Sequence, residues 1–252
     1  MVSLLRKYKI IKRSKYDQLR KNSPEEQDFK FLKSMPLDKS SKILTHIDES
    51  RAQLRQDLLA LVYSDFKENG FFVEFGATNG VQLSNTHLLE KKFNWAGILA
   101  EPARTWHHDL KNNRSATLDT RCVWKSSGET LSFDEVADSE LSTISDFSDS
   151  DFHKSRRKEK TTYNVETISL FDLLQQHGAP NQIDYLSIDT EGSEYSILEA
   201  FDFASYDIRL ITCEHNFTDQ RSKIFDLLTK NGYERIHADI SMFDDWYIKL
   251  GD

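Results

Sequence analysis

The stretch Phe71-Phe72-Val73-Glu74-Phe75-Gly76-Ala77-Thr78-Asn79-Gly80 limits what this chain can fold into more than any other ten residues. It reads as an apolar strand carrying an acid, broken by a glycine turn and followed by a helix beginning near Ser84 or Asn85. Twenty-five positions after Gly76, a second apolar run over residues 95–100 ends in another acid, Glu101. Strand, glycine turn, helix, strand and acid make the layout of a nucleoside-binding crevice. Glycine lets backbone approach a ligand, and the second acid accepts hydrogen bonds from a ribose diol.

The glycine spacing narrows the ligand. Glu74, Gly76 and Gly80 follow Glu-x-Gly-x-x-x-Gly, whereas dinucleotide sites follow Gly-x-Gly-x-x-Gly, in which one glycine admits the pyrophosphate. A carboxylate at Glu74 is a poor neighbour for a pyrophosphate. It suits a cationic ligand, such as the ammonium and sulfonium of S-adenosylmethionine. A plain turn between strand and helix accounts for the glycines but leaves Glu101 unexplained.

Further along, apolar runs alternate with helical periodicity. Helices are expected over residues 50–66, 103–112, 169–177, 193–201 and 218–230, and strands over 116–124, 131–136, 183–188 and 208–213. Residues 233–240 and 246–250 read as a closing antiparallel hairpin. This βαβα rhythm predicts an α/β fold with a doubly wound, mostly parallel sheet. Residues 137–160 break it: Ser/Asp-rich at first, then basic through Lys154, Arg156, Arg157, Lys158 and Lys160, they read as a mobile loop or lid.

Charge and cysteine content exclude several classes. A formal net charge of −8 and a pI near 5.5 argue against general nucleic-acid binding. Residues 1–22 are the exception, with eight Lys and Arg against Asp17. They read as a basic, partly helical arm suited to weak contact with an anionic surface. No run approaches the length of a membrane helix, and no signal-peptide pattern opens the chain, so the expected location is cytoplasmic. Cys122 and Cys213 lie in apolar strands and are expected as buried thiols.

A second acidic cluster follows the strand at 183–188. Asp189, Glu191 and Glu194 sit just past its carboxyl end, and the next strand ends in Glu214-His215-Asn216. In open α/β sheets ligands bind at that edge. Helix capping would explain Ser193 and Glu194, but not Asp189 or Glu191.

Taken in order, residues 72–80, Ser84-Asn85-Thr86, Leu89-Glu90-Lys91, residues 95–102 and residues 187–194 resemble the FkbM methyltransferases. Gln53-Leu-Arg-Gln-Asp-Leu58 is similar to a segment before the first strand in one subgroup. The resemblance implies a class I methyltransferase domain over residues 50–252, preceded by an N-terminal extension over 1–49. It implies S-adenosylmethionine as donor and a hydroxyl acceptor on a small molecule, sugar or glycan. By the same resemblance Glu74, Gly76 and Gly80 would line the methionine moiety, Ser84 and Asn85 would face its carboxylate, and Glu101 would hold the ribose. Asp189 and Glu191 would sit near the methyl group and the acceptor. Two positions depart from the pattern: Asn79 stands where many relatives have Asp, and Ser187 where many have Lys.

An alkyl hydroxyl is a weak nucleophile, so a base is expected. His215 is the better one by intrinsic pKa, and Asp189 the better one if a metal or hydrogen bond acidifies the hydroxyl. Asp189, Glu191 and Glu214 are oxygen donors of the kind Mg²⁺ takes, which makes them the candidate metal ligands. Two rival classes are a non-catalytic nucleoside-binding module and an NAD-dependent oxidoreductase; the glycine spacing disfavours the latter.

Overall fold

The computed structural model describes residues 23–137, 139–149 and 152–251, so the basic arm expected over 1–22 lies outside the described residues. The helices are α1 (Pro24–Ser34), α2 (Leu37–Leu44), α3 (Gln56–Tyr63), α4 (His87–Phe93), α5 (His107–Asn113), α6 (Leu170–Gln176), α7 (Glu194–Glu199) and α8 (Gln220–Lys230). The strands are β1 (Phe71–Phe75), β2 (Ala96–Ala100), β3 (Thr117–Asp119), β4 (Cys122–Trp124), β5 (Thr130–Val136), β6 (Thr143–Ile144), β7 (Lys160–Ser169), β8 (Gln182–Ile188), β9 (Asp207–Glu214), β10 (Tyr233–Ile236) and β11 (Asp244–Lys249). Local signals explain several boundaries. Ser23 caps α1 with Pro24 in its first turn, and the Ser169 hydroxyl accepts the Asp172 N–H to cap α6. Gly178, at φ +63°, turns the chain out after α6.

Seven strands form the main sheet in the order β10-β11-β9-β8-β1-β2-β3. β3, β2, β1, β8 and β9 pair in parallel. The two last strands do pair antiparallel, as the hairpin pattern predicts. β11, however, inserts between β9 and β10 and runs antiparallel to both, which makes the sheet mixed.

Side chains alternate between two apolar layers. Val73, Phe75, Ile98, Leu186 and Ile211 pack with Leu173, Leu174, Ile197, Leu198, Ile224 and Leu228 of α6, α7 and α8. Phe72, Leu99, Tyr185, Leu210 and Trp246 pack with Leu58, Leu61, Leu88 and Leu89 of α3 and α4. Phe31, Met35 and Ile43 join this second layer, so residues 23–49 share the core instead of trailing from it. Full burial of side chains such as Leu58 or Leu89 contributes about 1.5–3 kcal/mol each.

The run 116–124, expected as one strand, is two. β3 closes the main sheet, and β4 starts a second sheet ordered β4-β7-β5-β6. Between them Arg121 folds back on Asp119, donating its N–H at 2.9 Å and Nη2 at 2.6 Å, which bends the chain from one sheet to the other. The second sheet encloses Ala103, Cys122, Phe133, Ile144 and Val165. Residues 137–160 also depart from the aperiodic reading. They hold β6 and short 3₁₀ turns at Ser139–Leu141, Ser145–Phe147 and Phe152–Ser155, with Leu141, Thr143, Ile144 and Arg157 buried. Cys122 and Cys213 are buried free thiols. No helix among the described residues is long and apolar enough to cross a membrane.

Candidate active site

After β1 the chain builds outward through β2 and β3, then returns on the other side of β1 at β8. The carboxyl ends of β1 and β8 therefore flank a topological switch point, where open α/β sheets bind ligands. A cavity of about 360 Å³ lies there, within the range of small-molecule sites. Glu74, Gly76, Glu101, Asp189, Glu191 and Glu214 are among the residues that line it.

Glu74 is buried on β1 and fully engaged. It accepts the Ser84 hydroxyl at 3.0 Å, the Asn85 N–H at 2.7 Å and the Thr86 hydroxyl. Arg114 closes the group from behind. Its Nη1 lies 3.7 Å from Glu74 and donates to Gly80 O and Ser84 Oγ at 3.0 Å, while its Nε donates to Glu90 at 2.7 Å. Burial raises the Glu74 pKa, with Arg114 and the three donors opposing. The two glycines serve chain packing. Gly76 (φ +74°) lies so close to the Asp189 carbonyl that a Cβ would sit 2.1 Å from it, and a Cβ on Gly80 (φ +76°) would strike Arg114 and Leu110. Gly80 and Ser84 are outside the cavity lining. Asn79 bends the loop through its own side chain, which accepts the N–H groups of Val81 and Gln82.

Glu101 follows β2. One oxygen accepts the Thr78 N–H and the other the Ala103 N–H, both at 2.8 Å. Burial still pushes its pKa up to about 7, with the backbone donors opposing. Asn85 orients its amide by donating to Ser187 Oγ at 2.9 Å, and its Oδ1 is buried without a partner. Its backbone N–H is taken by Glu74, so the expected meeting with a carboxylate does not fit. A lone buried acceptor suits an ammonium.

Asp189, Glu191 and Glu214 come together, with one ligand oxygen of each within 4.8 Å of the others. Burial pushes Asp189 up to about 7, helped by Asp244, while the hydrogen bond with Glu214 pulls the other way. Burial also pushes Glu214 well above the usual range, followed by the charge of Asp189. A half-buried carboxyl, Asp189, beside a buried one, Glu214, is an arrangement that can hold a shared proton.

Glu191 differs from both. Its Oε2 accepts Arg157 Nη2 at 2.8 Å and Asn216 Nδ2 at 3.2 Å, and the same Asn216 amide donates to Glu214 at 2.8 Å. Donors pointing into the middle of the cluster fit a proton-sharing pair better than Mg²⁺, which needs those lone pairs and near-octahedral freedom. Glu194 is a brace. Its Oε1 accepts from Thr190 N, Thr190 Oγ1 and Gly192 N, holding the turn that keeps Glu191 at φ +58°.

His215 stands apart from the acids it follows. Alternation turns it away from the side of Glu214, and it is not part of the cavity lining. Its Nδ1 accepts the Phe217 N–H at 3.0 Å, and its Nε2 lies 3.8 Å from Asp245, which Arg221 and Arg235 also hold. Its intrinsic pKa drew attention in the sequence; its placement gives it no path to the cavity.

Arg114, Arg157, Asn216 and Thr78 carry no site role in the sequence alone. Asn216 stands with Glu214 and His215 at the strand end, and Arg157 lies inside the basic run. Nothing in the sequence marks Arg114 off from any surface arginine.

No curated protein matches the chain. Among solved structures, precorrin-6y C5,15-methyltransferase from Geobacter metallireducens GS-15 is similar at a TM-score of 0.37 and 11% identity. That match covers 71% of this chain and 71% of that one, a likeness too slight to bear on function. Residues 74–235 match the family described as Methyltransferase FkbM domain, and since that span is well over half of the sequence, the chain belongs to the FkbM methyltransferase family.

Proposed function

We propose that the protein transfers a methyl group from S-adenosylmethionine to a hydroxyl of a small, sugar-type acceptor, with Asp189 as the base. The observation that carries this reading is one cavity holding two under-supplied carboxylates, Glu101 and Asp189, each pushed up to about 7.

The site's donor chemistry fits the donor molecule. Glu101 has lone pairs left after its two backbone contacts, and a ribose diol supplies the hydrogen bonds that burial denies it. Asn85 Oδ1 suits the ammonium. Gly76 and Thr78 line the same cavity. When bound, S-adenosylmethionine supplies a methyl on a sulfonium, a good leaving group.

The chain's own task is to align the acceptor and remove its proton. Alignment alone is worth on the order of 7–11 kcal/mol. The ionised Asp189 takes the hydroxyl proton while Glu214, still protonated, donates to Asp189 and keeps its negative charge localised. A base with its pKa near the working pH is the most effective kind. Asn216 holds Glu214 in place, and Arg157 neutralises Glu191. Polar cavity residues such as Thr190 and Gln53 suit a polyol.

Calorimetry with S-adenosylmethionine, S-adenosylhomocysteine and NAD tests the reading. Binding of the first two and not the third is expected. NAD binding alone would overturn it, and binding without methyl release to any acceptor would leave a non-catalytic nucleoside module.

A further inference from the structure

A second concavity, about 160 Å³, opens beside the candidate active site. Gln53 lines both, and Met242 of the second is the chain neighbour of Phe243 in the first. Every lining residue of the second concavity lies outside residues 74–235, the span that matches the family. It is built by α1, by residues 53–55 ahead of α3, and by residues 239–246. A groove built outside the matched span thus lies next to the candidate active site, with Gln53 in the lining of both.

Its chemistry is mixed. Phe31, Leu54 and Trp246 give an apolar floor and are buried. The rim carries Asp28, paired twice with Arg55 at 2.7 and 3.0 Å, together with Asp239 and Gln27. Gln27 Nε2 donates to Met242 Sδ at 3.3 Å, a contact between two adaptable lining side chains. A lipid chain would desolvate Lys30 and Asp239, which line the groove outside the Asp28–Arg55 pair. A sugar ring satisfies both parts: its C–H face covers the floor and its hydroxyls reach the rim. The volume falls below that of a whole small-molecule site and suits a single ring.

We propose that this groove is an acceptor subsite for a second sugar unit, so that the hydroxyl to be methylated belongs to a disaccharide or longer glycan. This rests on the sugar-acceptor reading above.

The test uses full-length protein saturated with S-adenosylhomocysteine. Methyl glycosides of glucose, galactose and mannose, and their 1→4-linked disaccharides, are titrated by ligand-detected saturation-transfer NMR. At least one disaccharide is expected to bind about ten-fold more tightly than its monosaccharide. Gln27→Trp, which fills the groove from the exposed side of α1, should remove that advantage, while Gln27→Ala should keep most of it. Lys30→Trp on the same helix is the second blocking variant if Gln27→Trp does not fold. Equal binding of disaccharides and monosaccharides, binding of neither, or an advantage that survives the blocking variant overturns the subsite. If S-adenosylhomocysteine itself fails to bind by calorimetry, the donor reading is what fails. The same disaccharide contrast on the protein alone then decides the groove.

Discussion

Glu74 and the Asp189–Glu214 pair stand at the same edge of the same sheet, yet they are supplied differently. Glu74 receives three hydrogen bonds and the nearby charge of Arg114. Asp189 and Glu214 have each other, one amide from Asn216 and the repulsion of Asp244 and Glu191. The first arrangement holds a loop in one shape. The second leaves a proton with two places to go. A buried carboxylate is a brace or a base according to how many donors reach it, and its position in the motif does not say which.

The sharpest way to break this contrast is Asp189→Asn. It should lower turnover by roughly 10²–10⁴, the share of a general base, while S-adenosylhomocysteine affinity changes only a few-fold. A loss confined to affinity would move Asp189 from base to binding group.

On the other side, Arg114→Met should destabilise the fold by about 3–5 kcal/mol, because it leaves Glu74 and Glu90 without the buried cation that pairs with both. Urea denaturation reads this as a lower midpoint. A change under about 1 kcal/mol would show that Glu74 is not held by charge at all.

Glu101 falls between the two cases, with two donors and an empty side toward the cavity. Glu101→Ala should weaken S-adenosylhomocysteine binding by about 1.5–3 kcal/mol, the range for a charge-assisted hydrogen bond. In the unaltered protein a ligand diol selects the ionised form, so affinity should rise as pH rises through about 7. Flat affinity from pH 6 to 8 would remove the ribose assignment.

The smallest expected effect is on stability. Asp189 is raised from an ordinary 3.8 to about 7, so it binds a proton more readily folded than unfolded. Its contribution is complete below about 4 and is lost as pH rises through about 7, and Glu101 and Asp244 act the same way. The ligand-free protein should therefore melt lower at pH 8 than at pH 6.5. His87, pushed down to about 4 by burial, works in the opposite sense, but mainly between about 4 and 6.5. Asp189→Asn should flatten the slope; an unchanged slope would assign it to Glu101 and Asp244.

Much of the frame was legible because periodicity reports local burial. β1, β2, α6, β8 and β9 fall where alternation and glycine punctuation place them. Misreadings came where the partner was remote. Residues 116–124 look like one strand, since nothing in their order shows that Arg121 will fold back on Asp119 and hand the chain to another sheet. Residues 137–160 look aperiodic because their 3₁₀ turns and short β6 are held from outside by Glu191, through Thr143 on its carbonyl and Arg157 on its carboxylate, while Arg157 also closes the segment on itself at Leu141 O.

The order of residues was enough to establish an α/β chain of this family, a ligand edge at the carboxyl ends of its strands and the acids along that edge. These follow from strand length, glycine placement and the rule that the last residue of a parallel strand meets the ligand edge. Tertiary structure alone decided which acids are braced by many donors and which are left with few. Gly76 is a glycine because Asp189's carbonyl lies against it, Glu74 is silenced by an arginine forty residues away, and His215 is turned from the cavity by one step of strand alternation. Proton affinity depends on burial and on donors brought from distant parts of the chain, and neither is a property of the residues on either side.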